Sequence, residues 1–244
     1  MATPKSPIRL YHLTSEKWGQ VVLADRRLKY SRFDDLNDPF ELLSAHLGQR
    51  DVREFHKAMK AEVDKRYGLL CLSKTWRSPV MWAHYADKHR GLCLGFDVKE
   101  AARVDYTPAR LKHVIDETKS GLRTIVDLTK VALVTKFEEW KYEKEWRLFR
   151  DFRDEKPEPN GFFYQPFNNH IALREVLIGY RCPLTPEQVA QLVGTPVHDV
   201  TIIKVRPSFQ EFKMVRQKLV AERIIKGREP NDGALDSEGQ GRPL

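Results

Sequence analysis

The densest run of polar and aromatic residues in the chain is WKYEKEWR at residues 140–147. Glu143, Glu145 and Arg147 alternate in this run, so in a strand the three side chains would point to one face. Two carboxylates beside an arginine form either a salt-bridge ladder or an acidic group held in a cleft. The spacing alone favours the ladder.

A second polar run begins with CLSK at residues 71–74 and continues into SPVMWAHY at residues 78–85. Trp82 and Tyr85 are three residues apart, so on a helix they share a face. Such a pair either stacks on a planar ligand or packs in the core, and the core is the commoner place for it.

Two further segments place polar groups beside apolar ones. His12 lies within LYHLT at residues 10–14, and a buried histidine needs a hydrogen-bond partner. The pattern alone favours a core histidine bound to a backbone carbonyl. Asn37, Asp38 and Pro39 predict a turn, because Asn and Asp side chains bond to nearby backbone and proline has a fixed φ.

Several well-known sites are excluded by the sequence. It contains no P-loop, no GxGxxG, no HExxH and no GxSxG motif. The 8 histidines do not cluster at metal-ligand spacing, and the 3 cysteines are widely separated. We therefore expect neither a disulfide framework nor a metal site.

The elements that must position these residues alternate irregularly between strand and helix. Hydrophobic periodicity predicts strands at residues 8–13, 28–31, 68–72, 91–97, 145–152, 162–167, 173–178 and 200–205. It predicts helices at residues 16–24, 51–67, 79–86, 111–136 and 185–193, while 209–225 fits either type. The absence of regular βαβ alternation favours an α+β fold with a mixed, mostly antiparallel sheet and flanking helices.

Length and composition indicate an ordinary globular chain. Its 244 residues show no internal repeat, and a single domain over residues 8–226 is the simplest interpretation. Residues 1–7 and the Gly-, Pro- and Asp-rich residues 227–244 are predicted to be flexible. No apolar run approaches the ~20 residues of a membrane span, and no signal core is present, so we expect a cytoplasmic protein.

The positive charge is concentrated near the end of the chain. The formal net charge is +8, and residues 204–228 carry a marked basic surplus against Glu211 and Glu222. The basic residues are Lys204, Arg206, Lys213, Arg216, Lys218, Arg223, Lys226 and Arg228. A basic surface attracts polyanions, nucleic acid above all. No compact run of like charge exists, however, so the pattern alone slightly favours a solvated face.

Taken together, these motifs resemble the bacterial domain-of-unknown-function family 2971. The resemblance is carried by LYHLT, NDPFE, CLSK, MWAHYADKHRGLCLGFD and WKYEKEWR, and it runs from residue 8 to about residue 215. The family name implies no activity.

A more distant resemblance is to ADP-ribosyltransferase folds, with a layout most similar to the DNA-modifying DarT-like toxins. In those toxins a short apolar strand precedes an S-P-M element, matched here by residues 70–73 and 78–81. The resemblance implies that NAD is the cosubstrate. It implies that His12 binds the nicotinamide-side ribose and that Ser73, with Trp82 or Tyr85, shapes the nicotinamide pocket.

The same resemblance implies a catalytic glutamate that stabilises an oxocarbenium-like transition state. Glu145 is the preferred candidate because Glu143 and Arg147 accompany it, and Glu143 is itself a second candidate. Glu175, in the strand REVLI, is an alternative. Asn37 and Arg147 are added to the predicted NAD contacts, Asn37 because its turn could close the pocket.

The resemblance therefore implies an NAD-dependent ADP-ribosyltransferase or NAD glycohydrolase. Its setting would be a bacterial toxin or phage-defence effector, with nucleic acid as the favoured target. The alternative is a non-catalytic nucleic-acid or nucleotide-binding module. Convergence of His12, Ser73 and Glu145 on one cleft with an aromatic wall would favour the enzyme, and their dispersal would favour the binding module.

Overall fold

The computed structural model describes residues 6–111 and 125–228. They form two compact units. Unit 1 takes the described residues of Met1–Leu28, Leu72–Glu100 and Tyr164–Gln240, and unit 2 those of Lys29–Cys71 and Ala101–Phe163. Because both units are assembled from separated segments, no linker marks a boundary in the sequence. The single domain over residues 8–226 stays a prediction.

The strands and helices of the described residues have the following bounds. The strands are β1 Ile8–Thr14, β2 Arg27–Lys29, β3 Tyr67–Ser73, β4 Leu92–Val98, β5 Ala102–Arg103, β6 Asp105–Thr107, β7 Thr135–Phe137, β8 Glu145–Asp151, β9 Tyr164–Pro166, β10 Ile171–Ile178, β11 Val200–Pro207, β12 Met214–Arg216 and β13 Arg223–Ile225. The α-helices are α1 Glu16–Asp25, α2 Arg50–Arg66, α3 Pro79–Tyr85, α4 Ile125–Val134 and α5 Pro186–Val193.

Unit 1 is built on a sheet whose strands lie in the order β12, β11, β10, β4, β1. Strand β4 is antiparallel to both β1 and β10, whereas β10 and β11 are parallel. Its core contains fully buried apolar side chains from these strands, among them Leu10, Leu94, Phe96, Val176 and Ile202. This confirms the α+β class and the mixed, mostly antiparallel sheet.

Local capping explains where the helices of unit 1 begin. The Ser78 hydroxyl accepts a hydrogen bond from the Met81 N–H, and Pro79 occupies the first turn of α3. Thr185 and Gln188 form a capping box at the start of α5. These signals lie within a few residues of each helix, which is why the sequence predicts both.

Unit 2 packs helices α2 and α4 around a separate core. In this unit the part of β3 that precedes Leu72 lies beside β8, and β8 pairs with β5 in antiparallel fashion. Strands β6 and β7 form a small parallel pair. The core side chains are Phe33, Leu42, Met59, Val63, Tyr67, Leu69, Ala132 and Leu133.

The predicted helix over residues 111–136 is corrected at both ends. Leu111 forms an isolated bridge with Ala45 instead, whereas α4 stops at Val134 and the chain continues as strand β7. The Thr135 hydroxyl donates to the Val131 carbonyl, and Asp105 and Tyr106 of β6 pair with Thr135 and Lys136. Pairing with β6 thus overrides helix propensity. Residues 112–124 of this prediction lie outside the described residues.

The ambiguous residues 209–225 contain two short strands, β12 and β13, both paired with β11. The chain beyond β13 stays attached to unit 1 as far as it is described. The Gly227 N–H donates to Asp199 and the Arg228 N–H to the Pro196 carbonyl. Ordered contacts therefore continue two residues past the predicted boundary at residue 226.

None of the helices in the described part of the chain is long and apolar enough to cross a membrane.

Candidate functional site

The most concentrated group of charges in the structure is a buried ion cluster in unit 2, and Arg147 of β8 is at its centre. The Arg147 side chain has no exposed surface. Its Nη1 and Nη2 donate to the two Glu41 carboxylate oxygens at 3.0 and 2.6 Å. Its Nε and Nη2 donate to the Glu145 oxygens at 2.8 and 3.1 Å. The remaining Nη1 proton goes to the Leu133 carbonyl at 2.8 Å, so all five guanidinium protons are used.

Lys136 of β7 is the second cation of the cluster. Its Nζ lies 2.7 Å from Glu143 Oε2, 3.2 Å from Glu145 Oε2 and 3.7 Å from Glu41 Oε1. The ammonium also lies 4.8 Å from the centre of the Trp140 ring. Lys136 therefore touches every carboxylate in the group, and Glu41, Lys136, Glu143, Glu145 and Arg147 form one connected ion cluster.

Glu41 reaches the cluster because of the turn formed by NDPFE. Asp38 is buried, its carboxylate accepts from the Phe40 N–H at 2.9 Å, and its carbonyl accepts from the Glu41 N–H at 3.1 Å. Leu42 follows with a positive φ of 62°. This turn aims Glu41 inward, whereas the predicted NAD contact Asn37 lies on the exposed side of it.

Glu143 and Glu145 approach each other by a route that differs from the predicted one. Glu143 ends a 3-10 helix, Glu138–Glu143, and only Glu145 belongs to β8. Lys144 between them has a φ of 47°, in the left-handed region, so the two residues are not alternate positions of one strand. The Glu145 N–H donates to the Tyr106 hydroxyl at 2.8 Å, which holds the start of β8 against β6.

The cluster keeps Glu145 ionised. Burial by itself would raise the pKa of Glu145, but Arg147 first and Lys136 second lower it to about 2. The same carboxylates raise the pKa of Lys136 above its ordinary value against the opposing effect of burial. The pKa of the Cys71 thiol is raised well above its usual range, first by burial and second by the negative charge of Glu145. Cys71 is therefore a neutral hydrogen-bond donor here.

The formal charges of the ion cluster do not cancel. Glu41, Glu143 and Glu145 bring one more charge than Lys136 and Arg147 neutralise, so the cluster is negative by one unit. A negative charge with little water around it acts strongly on a nearby positive charge, because the local dielectric is low. The cluster can therefore stabilise a cation beside it, and its ion pairs also connect the segments of unit 2 that carry its members.

The predicted NAD contacts of unit 1 are dispersed over its sheet. His12 of β1 lies opposite Leu94, and Ser73 of β3 lies opposite Tyr11. Directly opposed residues of antiparallel strands project to the same face, so His12 and Ser73 project to opposite faces. The buried Ser73 hydroxyl donates to the Thr75 carbonyl and accepts from the Thr75 N–H, which stabilises the turn after β3.

Trp82 and Tyr85 have different environments although they share a face of α3. Trp82 has no exposed surface, and its indole N–H donates to the Trp76 carbonyl at 2.6 Å. Trp82 is therefore a core residue, the commoner of the two predicted outcomes. Tyr85 is half-buried and lies edge-on to His84, so it keeps a surface that a ligand could contact.

Glu175, the alternative catalytic glutamate, lies in a separate network of unit 1. One of its oxygens accepts from the Tyr11 hydroxyl at 3.1 Å and the other lies 3.1 Å from Arg9. Arg9 also pairs with Asp97 at 2.7 Å. Burial and the Glu175 carboxylate raise the pKa of Tyr11. This network ties β1, β4 and β10 together on the face that carries Tyr11.

Two members of the ion cluster, Glu41 and Lys136, are absent from the sequence-predicted site. The sequence does contain a signal for Glu41, because this residue ends the NDPFE motif that carries the family resemblance. Lys136 had no such signal, since its position was predicted to be helical and its partners depend on β7. Among the described residues, no group of three or more His, Cys, Asp or Glu could hold a metal ion.

Comparison with known proteins gives one match. Residues 81–148 match the family described as "Protein of unknown function (DUF2971)". The matched segment contains both the MWAHY run and the YEKEWR run, and it confirms the predicted resemblance to family 2971. No curated protein and no solved structure matches the chain. None of these comparisons confirms the likeness to ADP-ribosyltransferases.

Proposed function

We propose that this protein breaks the bond between nicotinamide and ribose in NAD and transfers ADP-ribose to an acceptor or to water. The observation that carries the proposal is the ion cluster of unit 2, with Glu145 held ionised and one negative charge in excess. Breaking the bond leaves positive charge on the ribose. Fixed carboxylates in a poorly solvated place are the groups that stabilise such a charge.

In the proposed step, the bond from C1′ of the ribose to the nicotinamide nitrogen breaks, and its electron pair leaves with neutral nicotinamide. An oxygen or nitrogen of the acceptor forms the new bond to C1′ and releases its proton to solvent. Glu145 stabilises the oxocarbenium-like charge between these events, and Glu143 adds to the negative potential. Arg147 and Lys136 are positioning residues for both carboxylates.

The contacts that bind NAD are part of the proposal and are tested separately from the glutamate. Of the predicted residues in unit 1, His12 and Tyr85 are partly exposed, whereas Ser73 and Trp82 are 2% and 0% exposed. Within unit 1, His12 and Tyr85 therefore keep surface that a ligand could contact, and the predicted NAD contact is tested at these two residues. Ser73 and Trp82 are buried, and they stabilise the local backbone through hydrogen bonds to the carbonyls of Thr75 and Trp76.

The resemblance to DarT-like toxins supports nucleic acid as the acceptor and a toxin or phage-defence effector as the setting. This support is by analogy with other proteins. The basic surplus of residues 204–228 supports the same acceptor independently, because phosphates are attracted to it.

A second function has two supporting observations. His12 and Ser73 project to opposite faces of the unit 1 sheet, so they do not converge on one cleft. Glu145 is 4% exposed and accepts hydrogen bonds from Arg147, Lys136 and the Cys71 thiol, which together occupy its lone pairs. A carboxylate so fully bonded is also what a purely structural ion cluster requires. On that account the protein is a non-catalytic nucleic-acid or nucleotide-binding module.

The experiment that separates the two functions uses the wild-type chain. Purified protein is incubated with NAD and with DNA, RNA or protein acceptors, and nicotinamide release is followed. Release above the spontaneous rate with any acceptor, or with water alone, supports the transferase or glycohydrolase. Nucleic-acid binding without release under every condition contradicts it and establishes the binding module.

A further inference from the structure

The hairpin formed by β11 and β12 ends in a tip that exposes two phenylalanines. Pro207 pairs with Met214, and the Ser208 N–H donates to the Lys213 carbonyl to close the hairpin. Phe209 and Phe212, three residues apart on this tip, are 89% and 104% exposed. Two large apolar side chains held this far into water on an ordered hairpin are unfavourable unless a partner covers them.

One of the two rings already has a flat cation on it. The Arg206 guanidinium lies 4.2 Å from the centre of the Phe209 ring, so one face of that ring is covered and the opposite face remains. A planar aromatic group is the partner that fits a ring face of this kind, and nucleic-acid bases present such faces whatever their sequence.

The surroundings of the tip are basic. Lys213, Arg216 and Lys218 follow the two phenylalanines, and the carboxylates in the same stretch are Glu211, paired with Lys213, and Glu222, paired with Arg216. Arg77 adds a cation from another segment, because its carbonyl accepts from the Met214 N–H at 2.8 Å and its side chain is exposed. These surroundings favour a partner that is anionic as well as aromatic.

A single nucleic-acid strand meets both conditions better than an anionic membrane or a duplex. Glu211 lies between Phe209 and Phe212, so inserting both rings into a lipid interface would also remove that carboxylate from water. Stacking on bases leaves Glu211 solvated. The bases of a duplex are already stacked on one another, which leaves only unpaired bases for the two rings.

We propose that this hairpin binds single-stranded nucleic acid, with Phe209 and Phe212 stacking on bases while Arg206, Arg216 and Arg77 contact the phosphates. The Arg77 contact joins the hairpin to the segment between Ser73 and Trp82, within unit 1. That the bound strand is the acceptor of ADP-ribose rests on the proposed function. That the hairpin binds a single strand does not, because this binding needs no NAD.

The test is the affinity of the full chain for a fluorescent oligonucleotide of about 12 nucleotides, measured by anisotropy in the absence of NAD. The double variant Phe209→Ala/Phe212→Ala should weaken binding at least about tenfold, since each stacked base contributes appreciably. Phe162→Ala is the matched control, because Phe162 is 43% exposed on unit 2 and carries Lys29 on its ring. This control should leave the affinity unchanged.

Wild-type binding should also fall steeply with salt and be weaker for a duplex of the same length. The inference is overturned by any of four results: no binding at low salt, equal affinity in the double variant, equal affinity for the duplex, or preferential binding to phosphatidylserine vesicles. Because both rings are solvent-exposed, the double variant should keep the wild-type Tm. A wild type that binds the oligonucleotide but releases no nicotinamide from NAD would contradict only the proposed function.

Discussion

Arg147 shows how one residue can organise a site. A fully buried guanidinium is tolerated only because each of its protons has an acceptor and two carboxylates share its charge. Arg147 shares β8 with Glu145, whereas its other partners come from a turn and from the end of helix α4. Its first role is therefore to hold Glu41 and Glu145 at fixed positions, and any catalytic role of Glu145 depends on that.

Replacing Arg147 with methionine should destabilise the protein strongly. Methionine keeps much of the volume but leaves Glu41 and Glu145 buried without their main cation. Breaking a buried pair in this way typically costs about 3–5 kcal/mol. Urea unfolding of the variant and of Arg150→Met, whose ion pair with Glu155 is partly exposed, would measure the difference. A loss no larger than that of Arg150→Met would show that the cluster contributes little.

The ionisation of Glu145 predicts a dependence of stability on pH. Its pKa is lowered from 4.5 to about 2, so its contribution is fully present above pH 4.5 and is lost as the pH falls towards 2. The free energy of unfolding of the wild type should therefore fall more steeply below pH 4.5 than that of Glu145→Gln. A difference between the two proteins that stays constant from pH 6 to pH 3 would contradict the assignment.

At the scale of elements, short connections do as much as strands to build the ion cluster. The NDPFE turn presents Glu41, the left-handed residue Lys144 brings Glu143 back beside Glu145, and the switch from α4 to β7 delivers Lys136. The strands of the sheet were predictable because apolar alternation and capping are local signals. The NDPFE turn was predictable for the same reason, but its presentation of Glu41 to Arg147 and the switch from α4 to β7 were not, because both depend on partners distant in sequence.

The NDPFE turn gives the element-scale prediction. Asp38→Ala removes the acceptor of the Phe40 N–H and should lower the free energy of unfolding by about 1–2 kcal/mol. Asp38→Asn keeps a side-chain oxygen at the same place and should stay within about 0.5 kcal/mol of the wild type. Chemical denaturation of both variants checks this. Equal losses would mean that the charge of Asp38, rather than the turn, is what matters.

At the scale of the whole molecule, the sequence predicts the fold class better than it predicts the site. Arg147 and Glu41 are 106 residues apart, and no local pattern reports a pairing at that distance. Glu143, Glu145 and Arg147 were predicted to form a salt-bridge ladder. All three belong to the ion cluster, although only Glu145 and Arg147 share a strand. For Trp82, pattern alone could not decide between a ligand and the core, because both require the same apolar helix face.

The end of the chain supplies the whole-molecule prediction. A chain ending at Arg228 keeps the bonds of Gly227 and Arg228 to Asp199 and Pro196, and the composition of the removed residues predicts few contacts. Its Tm should stay within about 1–2 °C of the full chain. A chain ending at Lys226 loses both bonds, worth roughly 1 kcal/mol, and should melt a few degrees lower. Calorimetry of the two truncations distinguishes them, and identical Tm values would show that these bonds contribute nothing.

The central claim is that Glu145 acts on NAD, and the most direct measurement is the rate of nicotinamide release by Glu145→Gln relative to the wild type. Glutamine keeps the shape and loses the charge, so we expect the rate to fall by about 10² or more while the variant stays folded by circular dichroism and still binds NAD. Glu175→Gln, which alters a carboxylate of unit 1, should change the rate only mildly. A wild-type rate retained in Glu145→Gln, or a wild type that releases no nicotinamide with any acceptor, would contradict the claim.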